Sequence, residues 1–81
     1  MSNDKYCNYL EDLGFLIKED ARKAIQEHIK SKGTDGEDFQ SGYMMGFHRV
    51  ITLMQQQANA FNIPLKEIRL DDISENEFFN Q

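Results

Sequence analysis

The chain has 81 residues, a formal charge of −5 and a single cysteine, which leaves room for one domain and excludes an internal disulfide or a cysteine-based zinc site. Its apolar runs fall far short of the ~20 residues needed to cross a bilayer, and 9 basic residues against 14 acidic ones leave no basic stripe for phosphates, so neither membrane spanning nor nucleic-acid binding is expected. A core built from so short a chain is marginal without a metal, a disulfide or a partner chain.

The first helix is expected to open at Ser2 or Asn3, either of which can cap free N–H groups, with Asp4 suiting the positive end of the dipole. Tyr6, Tyr9/Leu10, Leu13, Leu16/Ile17, Ala21, Ala24/Ile25 and Ile29 then recur at helical spacing. Glu19, Lys23 and Glu27 follow at four-residue intervals on the other side, as on a solvated face. Lys30 and Lys32 suit the negative end of the dipole, and Gly33 can take the left-handed conformation that stops the helix.

Thr34, Asp35, Gly36 and Glu37 form the break in the middle of the chain, and Thr34 with Glu37 has the spacing of a capping box. So short a turn predicts antiparallel neighbours. The second helix is expected from about Glu37 to Phe61, with Asn62 as a left-handed stop and Pro64 preventing continuation. Between Phe39 and Ile63 the only formally charged residue is Arg49. The apolar residues of this helix cover more than the ~100° that one neighbouring helix would hide, which predicts a second neighbour: helix two of another copy, in a two-fold four-helix bundle. Gly42, Tyr43, Gly46, Phe47, Val50, Ile51 and Met54 are the candidate packing and dimer residues. In the hairpin register, Gly42 and Gly46 are expected to meet Ala21 and Ala24, close backbone approach offsetting the ~1 kcal/mol that a helical glycine costs.

After Pro64, Leu65 to Ile68 can make one helical turn, and Leu65, Ile68, Leu70 and Ile73 are spaced to fold back over the open end of the core. The chain thus divides into a hairpin domain, 1–73, and an acidic tail, 74–81, whose composition predicts a loose segment unless something binds it, with the adjacent Phe78 and Phe79 able to dock either on their own bundle or on another protein. The whole charge deficit lies after Gly33: from there the acids face only Arg49, Lys66 and Arg69.

A catalytic, metal or cofactor signature is not legible. His28 and His48 stand on different helices with an expected axial offset of about 9 Å, and neither belongs to a Glu-x-x-His or His-x-x-x-His pair. Cys7, in the first turns of helix one, reads as a small, partly buried side chain with no histidine beside it. Arg49, alone on a nearly uncharged helix, is expected to reach Asp20 or Glu19, or an acid of another copy; otherwise it is a partner-binding cation. A reducing, cytoplasmic setting is expected from the free thiol and the absence of a secretory-type segment, with bacterial origin as the default.

The stretch Gly42-Tyr43-Met44-Met45-Gly46-Phe47, then Val50 to Ala58 and Ala60 to Leu65, resembles small, uncharacterised bacterial helical proteins. The resemblance covers roughly the second half of the chain, implies no activity and carries over no functional residue. By its hairpin architecture the chain also resembles small two-helix proteins that dimerise into four-helix bundles. The expectation is an all-α, non-enzymatic interaction or regulatory protein, acting as a homodimer and presenting Arg49, Asp71, Asp72, Glu75, Glu77, Phe78 and Phe79 to a protein partner, with no cofactor. Two alternatives stand beside it. One is an acidic inhibitor or immunity-type protein whose C-terminal carboxylates meet a basic protein surface. The other is a small-ligand or metal-binding bundle with a pocket around Gly42, Gly46, His48 and Arg49.

Overall fold

A computed structural model of the chain describes residues 4–79, and all their regular structure is helical. Helix α1 (Asp4–Ser31) and helix α2 (Glu37–Ala60) form an antiparallel hairpin, followed by a 3-10 turn (Leu65–Ile68) and a short helix α3 (Glu75–Phe79). The cap expected at Ser2 or Asn3 and the last two residues of the expected tail lie outside the described range.

Both helix stops are where local chemistry places them. Gly33 has φ +81° and Asn62 φ +59°, left-handed conformations that halt a helix at low steric cost for these residue types. The capping box at Thr34 and Glu37 does not form. Gly36 holds the N-cap position without a side-chain cap, because α2 begins at Glu37 itself. The Thr34 hydroxyl donates instead to Ser31 O at 2.6 Å, and the Glu37 carboxylate accepts from Gly33 N at 3.1 Å. The loop is thereby tied to the end of α1.

Met44, Ile51 and Ala58 of α2 recur every seven residues and are buried, as are Ala21, Ala24 and Ile25 of α1. Together they form the seam between the two long helices. The molecule measures 51 × 20 × 16 Å, so this core is one layer thick. Four further buried side chains, Ile68, Leu70, Ile73 and Phe78, come from the C-terminal segment. Of the two expected fates of the segment from residue 74, docking on its own bundle is the one observed: residues 75–79 form α3, with Phe78 inside the core and Phe79 exposed.

Gly14 permits this closure. A Cβ there would collide with the carbonyl oxygen of Ile68, so the bare backbone of α1 seats the 3-10 turn. Gly42 and Gly46, by contrast, do not meet Ala21 and Ala24: a Cβ at either would find open space. The reason is rotational. Met44 is the residue turned into the core with Ala21 and Ala24, and two residues amount to about 200° of helix, which carries both glycines to the outside.

Candidate interaction surfaces

The hairpin has two faces, and the C-terminal segment covers one of them like a strap. Lys18, on the buried side of α1 at 5 % exposure, donates to Asp72 Oδ1 at 2.7 Å. One turn on, Arg22 holds Glu77 with both ends of its fork, Nε to Oε1 at 3.0 Å and Nη2 to Oε2 at 2.9 Å, and Nη2 also donates to Asp72 O at 3.0 Å. From α2, Gln55 Nε2 donates to Leu70 O and Ile73 O, both at 3.0 Å. In all these bonds the hairpin donates and the strap accepts. Arg69, in a left-handed conformation at φ +61°, closes the turn and reaches Glu11 at 3.6 Å across the Phe15 ring.

The electrostatics follow this geometry. The Lys18 hydrogen bond holds the Asp72 carboxyl below its ordinary value, against some desolvation, with further pull from the charges of Lys18 and Arg22. Its bidentate bond to Glu77 raises the Arg22 guanidinium above an already high value, against desolvation. His48 packs edge-on against Phe78 and Phe79 at ring separations of 5.2 and 5.1 Å. Its Nε2 is buried without a hydrogen bond and has Glu75 Oε1 3.5 Å away.

The opposite face carries no such partners. On α1 the flank turned away from Lys18 and Arg22 holds Tyr6, Tyr9, Leu13 and Leu16; on α2 the flank turned away from His48 and Gln55 holds Tyr43, Phe47, Val50, Met54 and Phe61. Tyr6, Tyr9, Leu16, Tyr43, Val50 and Phe61 are all exposed, as are Phe39 and Leu53 beside them, with Phe39 and Phe61 each 71 % open. Five rings of about 200 Å² each, half to seven-tenths open, offer on the order of 600 Å² of aromatic surface. Three aliphatic side chains add to it.

The candidate residues therefore separate into two groups. Asp72, Glu77 and Phe78 are spent inside the strap, while Asp71, Glu75 and Phe79 remain exposed. Gly42, Tyr43, Gly46 and Val50 lie on the open side, Phe47 and Met54 are half-buried at its edge, and Ile51 is in the core. Arg49 is exposed and its side chain reaches neither Asp20 nor Glu19, since position 49 turns away from α1. Cys7 is exposed rather than partly buried, because the first turns of α1 extend beyond the core. Among the described residues no group of three or more His, Cys, Asp or Glu is placed to hold a metal ion, and no helix is long and apolar enough to cross a membrane.

Four residues that build the strap site, Gly14, Lys18, Arg22 and Gln55, are missed by sequence reasoning. Two carried a signal. Gly14 interrupts a helix at a propensity cost, and Lys18 falls on the same helical face as Gly14, Ala21 and Ile25, a cation on an otherwise apolar stripe. Comparison with family models, with characterised proteins and with solved structures finds no match to this chain.

Proposed function

We propose that this chain is a non-enzymatic interaction protein that acts as a helical homodimer, joined through the face opposite the strap. The observation that carries the reading is the patch of eight large apolar side chains left exposed there, on a hairpin only one core layer thick. Burial of this patch would give the single-layer core a second layer, which a domain of this size lacks on its own.

The acidic-inhibitor reading has less support, because Asp72 and Glu77 already serve Lys18 and Arg22. The ligand-pocket reading is also weakened: His48 sits under the strap while Gly42, Gly46 and Arg49 lie on the outer side of α2. Light scattering over a concentration series tests the homodimer. A mass of two chains that persists on dilution supports it, and a single-chain mass throughout sinks it.

A further inference from the structure

Helix α2 carries two seven-residue seams, and only one of them is filled. Met44, Ile51 and Ala58 face α1. On the outer side Phe39, Tyr43, Gly46, Val50, Leu53 and Gln57 are separated by four, three, four, three and four residues, and every one is exposed. Ala60 continues the series. A 3.5-residue repeat sustained over three heptads is the pattern by which one helix packs knobs into the holes of another. A helix needing only one neighbour has no use for a second such seam.

Resting on the homodimer reading, we infer that this outer seam is the dimer contact, and that α2 pairs with α2 of a second copy in antiparallel orientation about a two-fold axis near residue 50. Charge favours a second copy as occupant: the seam itself is uncharged, so two copies meet there without burying a charge, and Arg49, which the axis brings near its own symmetry mate, stands to the side of the seam and is exposed to solvent. Orientation follows from two asymmetries along α2. Its first turn carries Glu37 and Asp38, just after Asp35, whereas residues 57–63 carry no charge. A parallel pair would crowd the acids of both copies at one end; an antiparallel pair sets them beside an uncharged end and opposes the two helix dipoles.

Side-chain size is also graded. Phe39 and Tyr43 lie at one end of the seam, Gln57 and Ala60 at the other, with Gly46 leaving a hole that nothing in its own chain fills. Antiparallel pairing sets large residues against small ones. Parallel pairing would stack four rings in two layers and leave a gap at Gly46 and again at Ala60, which the close packing of helix interfaces disfavours.

Spin labels at exposed position 38, introduced as Asp38→Cys in a Cys7→Ser background, read the arrangement by electron–electron dipolar spectroscopy. An antiparallel pair places the labels roughly 35 Å apart, from 24 residues at 1.5 Å each. A parallel pair places them near the ~10 Å spacing of packed helices, a result that would overturn the inference while leaving the homodimer standing. A single-chain mass by light scattering, with no intermolecular distance, would instead remove the homodimer itself. Val50→Glu provides a second measurement, since an exposed side chain is replaced and the hairpin is expected to keep its own helical melt. The dimer dissociation constant should rise at least about a hundredfold, because a charge is buried at the axis, whereas Gln26→Glu on the outside of α1 should leave it unchanged. An unaltered dissociation constant for Val50→Glu overturns the seam.

Discussion

The strap face and the open face are made from the same two helices, yet one is satisfied within the chain and the other is not. On the strap face the hairpin presents donors, Lys18, Arg22 and Gln55, and the C-terminal segment answers with carboxylates, carbonyls and four buried apolar side chains. On the open face α2 presents rings and aliphatic groups, and the ring contacts there, Phe39 with Tyr43 and Tyr43 with Phe47, lie within α2 itself. The polar face specifies one partner in one register, because each donor needs its own acceptor. An apolar seam specifies its partner only by spacing, size and the absence of charge, which suits contact with another molecule.

Mutations should separate the two faces, the strap side giving the larger losses. Leu70 is fully buried, and Leu70→Ala should lower unfolding stability by about 3 kcal/mol in urea titrations. That is a large share of what a domain of this size possesses, so the variant should be partly unfolded at 37 °C. Gly14→Ala should cost about 2 kcal/mol despite alanine's better helix propensity, as the added methyl collides with the Ile68 carbonyl and lifts the 3-10 turn. A neutral or stabilised Gly14→Ala protein would show that the turn does not sit on that helix.

Asp72→Asn should cost about 1 kcal/mol at neutral pH, since Lys18 loses a charged acceptor whose own exposure screens the bond. The pH dependence has a definite sign. A carboxyl depressed in the folded state contributes fully above its unfolded value near 3.8 and loses that contribution as pH falls through the lower folded value. The gap between Asp72→Asn and the parent chain should therefore hold from neutrality down to about pH 4 and close in stronger acid, as read by thermal melts. A gap that stays constant to pH 2 would show that the carboxylate's charge is not involved.

The smallest effect belongs to the open side. Gly42 stands beside the outer seam with free space around it, so Gly42→Ala should raise stability by roughly 0.5–1 kcal/mol through helix propensity alone. The same change at Gly46, on the seam, sharpens the contrast. Equal gains at both positions would mean that no second backbone comes close to α2 at residue 46.

What could be read in advance divides along the chain by distance. The helix stops at Gly33 and Asn62, the turn from Leu65 to Ile68 and the uncharged run of α2 were all legible, because each depends on residues a few positions apart. The inward rotation of α2 differs by half a turn from the one that size alone predicts: small residues place Gly42 and Gly46 inside, and in the structure Met44 holds that place. Burial of several residues settles such a rotation, and the size of one pair does not. The strap was only half legible. Leu65, Ile68, Leu70 and Ile73 showed an apolar spacing, but nothing near Asp72 or Glu77 points to Lys18 or Arg22, 54 and 55 residues away.

By itself the sequence determined the two long helices, their antiparallel sense and the apolar excess of α2, since propensity, capping and periodicity act over one or two turns. Only the tertiary structure decided which side of each helix turned inward, that Gly14 would admit the Ile68 carbonyl, and that the acidic end would close over Lys18 and Arg22. Those outcomes rest on contacts between distant segments, where the deciding quantities are the space left by one helix and the donors it leaves unpaired.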